Sequence, residues 1–199
     1  MISESVNKKN WSSINWKLVR SIILGLIVVG VILFFNARSP EKTSAVLSST
    51  LRYAVPLILG ALCGIFCERA GIVNIGIEGQ MLMSAFLSYM TNVWTSNLLL
   101  SLLVGMLTGA IMGLFLAFLS IKLKLNQTIG GTVINIMATG ITGYFYQTGL
   151  TTQGKLWNIP LGPLAKIPLI GPVLFNNPPI TYMAILLVIF SQVLLFHTR

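Results

Sequence analysis

The stretch "GIVNIGIEGQ", Gly71 to Gln80, lies between two strongly apolar runs and places three glycines, an asparagine and a glutamate where a lipid-facing helix would carry leucine. Whether it is helix or break decides how the chain crosses a membrane. Gly71, Gly76 and Gly79, with Ile72, Val73, Ile75 and Ile77 between them, make a poor helix by intrinsic propensity, since glycine loses the most backbone freedom on ordering. Non-helical backbone at membrane depth is tolerated only where protein buries it or where it lines a cavity. A charge near the bilayer centre costs at least ~2.5–3.5 kcal/mol on insertion scales. Glu78 therefore needs a partner, a shallow position or water. Two readings stay open: Glu78 sits near the inner interface, close to Glu68, and pairs with Arg69, or the segment is broken at a substrate path, a recurrent transporter device.

Composition fixes the solvent. The 199 residues are 55% hydrophobic and only 9% charged, and the mean hydropathy is +0.85. A soluble domain carries about 25% charged residues. The expected fold is therefore all-α, a polytopic integral membrane helical bundle with about six transmembrane segments, one of them broken near residues 71–80. A helix needs ~20 mostly apolar residues to span the hydrocarbon. Candidate spans run roughly over Val19–Asn36, with "SIILGLIVVGVILFF" at its centre, Val46–Cys67, Ile72–Val93, Asn97–Ile121, Thr128–Gly149 and Ile180–His197. Residues 1–18 read as an N-terminal tail. The first span has a basic flank, but "FFNARS" offers no small-x-small cleavage site, so an uncleaved anchor is expected.

The formal net charge of +9 points to topology rather than to nucleic acid, because no basic-aromatic cluster and no continuous basic helix face occurs. With a cytoplasmic N-terminus, Lys8, Lys9, Lys17, Arg20, Arg69, Lys122, Lys124 and Arg199 fall inside. Arg38, Lys42, Lys155 and Lys166 fall outside. That bias is the one the positive-inside rule requires. A multi-pass cell-membrane protein with its N-terminus inside is expected.

Three further patterns bear on function. Cys63 and Cys67 lie four apart within the second span and make neither a disulfide framework nor a full zinc site; they read as small packing residues, and no metal site is expected. Gly105, Gly109 and Gly113 recur at intervals of four in "GMLTGAIMG", putting three glycines on one helix face where a neighbouring backbone comes close. Packing inside one bundle is favoured over a homodimer seam. In the fifth span Thr128, Thr132, Asn135, Thr139, Thr142 and Tyr146 make a polar stripe about five turns long, opposite Val133, Ile134, Met137 and Ile141. Threonine hides its hydroxyl on its own backbone, so the stripe is either packing or a path lining. Asn135 cannot hide in that way and calls for a partner or a wet cavity. The external loop "TTQGKLWNIPLGPLAKIPLIGPVLFNNPPI", with Pro160, Pro163, Pro168, Pro172, Pro178 and Pro179, is too proline-broken to span and too apolar for a free linker. It is expected to fold back over the outer mouth with Trp157 near the headgroups, as a lid or as a docking surface.

"ERAGIVNIGIEGQMLMSAF", Glu68 to Phe86, resembles the signature of nucleoside and simple-sugar ABC importer permeases, of the branched-chain amino acid and ribose permease superfamily. "TLRYAVPLILGALCGIFCERAG" resembles the helix before it, "LSIKLKLNQTIGGTVINIMATGITGYF" the inner loop and following helix, and "IPLGPLAKIPLIGPVLFNNP" the proline-rich segment. The likeness covers roughly residues 46–199, and residues 1–45 match only as a variable first helix. Residues 19–199 would then be the first part of a permease domain.

The resemblance implies a transport subunit, not an enzyme. It would contribute half of the translocation path of an ATP-driven importer. Its partners would be a second permease subunit, a cytoplasmic ABC ATPase that binds the ATP, and an extracellular substrate-binding lipoprotein. Consistently, the chain has no phosphate-binding loop of the G-x-x-x-x-G-K-[ST] type, and no cofactor of its own is expected. Asn135, Thr132, Thr139, Asn74 and Gln80 would suit a neutral, hydroxyl-rich solute in passage. Glu78 and Arg69, with Gly76 and Gly79, are assigned structural or gating roles. No catalytic residue is expected, since the lone His197 lies at the chain end and no nucleophile-base constellation occurs. Family members continue past this point into a coupling loop, whereas this chain stops at "LLFHTR"; taken as complete it would be a truncated, non-transporting assembly subunit. A secondary transporter would have Glu78 as its one acidic candidate within the membrane.

Overall fold

The computed structural model describes residues 16–160 and 170–197. The tail lysines Lys8 and Lys9, the loop residues Pro163, Lys166 and Pro168, and Arg199 lie outside the described residues. The element order is α1 (Trp16–Arg38), α2 (Pro40–Arg69), α3 (Ile77–Thr95), α4 (Leu98–Ala117), α5 (Gln127–Phe145), β1 (Ile159–Pro160), α6 (Ile170–Leu174), β2 (Asn176–Asn177) and α7 (Pro179–His197). The six long helices answer to the six expected spans. By length and composition, three are long and apolar enough to cross a membrane: Val19–Arg38, Pro40–Arg69 and Leu98–Lys122. Pro179–Leu195 is a shorter apolar helix.

The helix ends follow from local chemistry. Ser39 alone separates α1 from α2, and Pro40 occupies the first helical position of α2, where a missing N–H costs nothing. Asn97 caps α4 by accepting from the N–H groups of Leu99 and Leu100, and Asn126 caps α5 through Thr128. Ser96 ends α3 in the left-handed region at φ 52°. The last turn of α4 widens into a π-helical turn over Phe118–Lys122. Ser101 and Thr108 are buried in α4, yet they return their hydroxyls to the carbonyls of Asn97 and Val104, so a polar side chain is carried at no unmet hydrogen bond.

The core sits where α3, α4 and α5 meet. Met83, Met112, Leu116, Ile134 and Ala138 form it, with Ile72, Leu119 and Met137 packed against it. The most extensive helix contact is α3 with α4, followed by α3 with α5. Gly105 stands 3.1 Å from the Ser88 Cβ and Gly109 3.2 Å from the Ser84 Oγ, measured from the Cβ each would carry. Gly113 does not share this contact: nothing lies within 4 Å of its Cβ position. By contrast, none of the spanning window of α1 is buried.

Two expected boundaries are corrected. The third span, roughly Ile72–Val93 with a break expected near 71–80, has its break at residues 70–76, and α3 starts at Ile77, so Ile77–Gln80 already belong to the helix. The fifth ends at Phe145 rather than Gly149. The proline-rich loop closes with a two-residue antiparallel ribbon, Ile159 facing Asn177 and Pro160 facing Asn176. Tyr182 of α7 fastens it, accepting from the Asn177 N–H and donating to the Ile159 carbonyl, both at 3.1 Å. Helix α6 packs back on α2, while Trp157 is exposed.

Candidate functional site

Helix α2 ends on a glycine. Gly71 adopts φ 79°, the left-handed conformation that only glycine takes without strain. Its N–H bonds the Glu68 carbonyl while the Ile72 N–H reaches back to Cys67. That double closure satisfies the last carbonyls of the helix and turns the chain sharply.

The following residues run in non-helical form up the first turns of α5. Val73 donates its N–H to the Gln127 Oε1 at 2.7 Å, and the Gln127 Nε2 donates to the Gly71 carbonyl at 3.4 Å. Two turns higher, the Asn135 Nδ2 donates to the Ile75 carbonyl at 3.1 Å and its Oδ1 accepts from the Gly79 N–H at 2.8 Å. Between them Gly131 and Gly76 touch backbone to backbone. A Cβ on Gly131 would lie 2.7 Å from the Gly76 nitrogen, and one on Gly79 2.7 Å from the Asn135 Cα. Gln127, Gly131 and Asn135 are spaced by four, so one face of α5 presents amide, gap and amide over about 12 Å of rise. This clamp gives partners to the Val73 and Gly79 N–H groups and to the Gly71 and Ile75 carbonyls, which no helical ladder serves here.

The clamp also starts α3. Gly76 occupies the N-cap position without a side chain to cap, so a first-turn N–H would be left open. Asn135 caps the Gly79 N–H from a different helix. Glu78 lies in this first turn and is exposed, where the positive end of the helix dipole favours a carboxylate. The Glu78–Arg69 pair, one of the two readings open for Glu78, does not form among the described residues. The Arg69 guanidinium instead donates to the carbonyl of Leu195, tying the end of α2 to the last turn of α7.

Asn74 and Gln80 face the other way. The Asn74 Nδ2 donates to the Gln80 Oε1 at 3.1 Å and to the Cys67 Sγ at 3.7 Å. Gln80 is only 7% exposed, and its Nε2 and the Asn74 Oδ1 are buried without a hydrogen-bond partner. Gln80 borders a cavity of about 420 Å³ between α2, α3 and α4, together with Leu59, Cys63, Met81 and Ser84. Both cysteines are free. No group of three or more metal-ligating side chains occurs among the described residues.

The threonine stripe is divided. Thr132 and Thr139 are exposed and give their hydroxyls to the carbonyls of Thr128 and Asn135. Thr142 is buried. The packed face of α5 is instead Gly130, Gly131, Ile134, Ala138 and Thr142. Sequence reasoning singled out Asn135 but not Gln127 or Gly131; the signal available was their spacing of four from Asn135, masked by the more conspicuous threonines.

The sequence of residues 46–199 matches the family described as the branched-chain amino acid transport system permease component. The chain belongs to this permease family. It is 35% identical to the nucleoside ABC transporter permease protein NupC of Lactococcus lactis subsp. cremoris over 168 residues, 77% of this chain and 52% of the relative. It is 36% identical to the guanosine ABC transporter permease protein NupQ of Bacillus subtilis, covering 78% of this chain and 53% of the relative. A putative glucose ABC transporter permease protein, TsgC13 of Haloferax volcanii, is 33% identical over 73% of this chain and 46% of its own length. This permease chain thus spans about half the length of the curated relatives it matches. No solved structure matches it. The clamp on residues 71–79 and the helix it starts both lie inside the region that defines the family.

Proposed function

We propose that this permease chain forms part of the translocation path of an ATP-driven importer for nucleosides or simple sugars. The observation that carries the reading is the non-helical segment 70–76, held by Gln127 and Asn135 and leading into a helix that starts against α5. Such interrupted helices occur where transporters handle solute, and relatives named as nucleoside, guanosine and glucose permeases supply the solute class. In this reading Asn135, Gly76 and Gly79 position the segment. Asn74 and Gln80 on one side and Thr132 and Thr139 on the other offer uncharged hydrogen-bonding groups to a neutral, hydroxyl-rich solute. Glu78 and Arg69 set the helix start and the α2–α7 contact, where movement would be gated.

ATP binding and hydrolysis would belong to a cytoplasmic ABC ATPase, with a second permease subunit completing the path and an extracellular lipoprotein delivering solute. The N-terminus would be cytoplasmic, as the lysine and arginine distribution supports. The test is uptake of tritiated guanosine and uridine in cells expressing this chain with its ATPase and binding protein. Gln80→Leu should lower uptake at least about tenfold while the amount of membrane-inserted protein stays unchanged. Full uptake by Gln80→Leu removes this residue from the path. Intact assembly with no uptake by the unmodified chain would instead identify a non-transporting assembly subunit.

A further inference from the structure

The corner between α1 and α2 carries a feature outside the clamp. A single residue, Ser39, joins the two helices, and α1 buries none of its spanning window. The helices therefore part from the corner and leave a crevice of about 500 Å³ between them. Its walls are Val31 and Phe35 from α1 and Val46 and Leu47 from α2, and Arg38 and Lys42, on either side of Ser39, line its corner end. Both cations are exposed, and neither has a carboxylate partner among the described residues. Glu41, the nearest acid in sequence, is not one of the residues lining the crevice. Arg38 stacks over the Phe34 ring at 5.3 Å, which holds the guanidinium at the corner.

We propose that this crevice is a binding site for an anionic phospholipid. The long apolar run of α1 ends at Arg38, so the two cations stand at headgroup level while the walls below them lie at acyl-chain depth. A free soluble anion would find the cations but leave the apolar walls wet. A zwitterionic lipid would fill the walls but bring its own cation to Arg38 and Lys42. A phospholipid with a net negative headgroup satisfies both parts of the site. The crevice lies apart from the α2–α3–α4 cavity, and the inference does not depend on what the chain transports.

The test is native mass spectrometry of the full chain, purified in dodecyl maltoside and offered phosphatidylglycerol and phosphatidylcholine with identical acyl chains in equal amounts. One basic residue near an anionic headgroup favours it about fivefold. The unmodified chain should therefore retain one phosphatidylglycerol in at least about fivefold preference. The Arg38→Gln/Lys42→Gln double variant should retain the two lipids equally. Lys122→Gln/Lys124→Gln removes the same charge at the opposite end of the bundle and should leave the preference intact. Equal retention by the unmodified chain, an undiminished preference in the corner variant, or an equal loss in the control variant would each overturn the site.

Discussion

Gly79 and Asn135 occupy one contact from two sides. The Asn135 Cα sits 2.7 Å from where a Gly79 Cβ would stand, and that neighbour is backbone, which cannot swing away as a side chain would. Gly79→Ala must therefore push α3 from α5, an overpacking cost of about 1–3 kcal/mol. Gly113→Ala meets nothing within 4 Å and gains helix propensity of up to about 1 kcal/mol. Thermal unfolding in detergent should show Gly79→Ala several degrees below the unmodified chain and Gly113→Ala level with it or above. These two glycines look alike in the sequence. Only the distance to the next backbone separates them, and the residues that set it are 56 positions away.

At the scale of elements, the break before α3 is a helix start displaced into the bundle. A chain that leaves the helical ladder within a membrane must find its N–H and C=O groups partners elsewhere, and two amides of α5 supply four of them, the Val73 and Gly79 N–H groups and the Gly71 and Ile75 carbonyls. Asn135→Leu deprives the Gly79 N–H and the Ile75 carbonyl together. Leaving the buried N–H unmet costs about 1–3 kcal/mol, equivalent to a fall of very roughly 2–12 °C in Tm for a chain of this size. Hydrogen exchange should quicken over residues 75–79 while the α4 amides keep their protection. Exchange that rises equally in α4 would mean that Asn135 supports the whole bundle rather than the segment. The glycine-rich composition of the stretch made the break legible. Its clamp was not, since an asparagine at helical spacing reads the same whether it meets solute, water or backbone.

For the whole molecule, exposure is the informative quantity. The chain presents 15202 Å² of accessible surface, against about 9,200 Å² for a globular monomer of its mass. Leucine, isoleucine, valine and phenylalanine dominate the exposed positions of α1, α4 and α7. Such a surface is stable only against lipid or further helices. The proposed orientation can be read directly. In a Cys63→Ser/Cys67→Ser background, Lys155→Cys should react with a membrane-impermeant maleimide on intact cells, and Lys124→Cys only after permeabilisation. The reverse pattern would place the N-terminus outside.

Hydropathy determined the membrane setting and the six long helices, because burial in lipid is a property summed along consecutive residues, and the glycines of 71–79 marked the interruption through their low helix propensity. The permease family was likewise legible, in residues that stand together in the chain. Tertiary structure alone decided that Asn135 holds backbone, that Glu78 is exposed at a helix start rather than paired with Arg69, and that Gln80 is buried beside a cavity while Thr132 and Thr139 face outward. Each of those depends on which groups, distant in the chain, come to lie around a side chain in space, as the Ile75 carbonyl and Gly79 N–H do within about 3 Å of Asn135. Hydrogen-bond partnership is set by that distance in space, and no spacing along the chain encodes it.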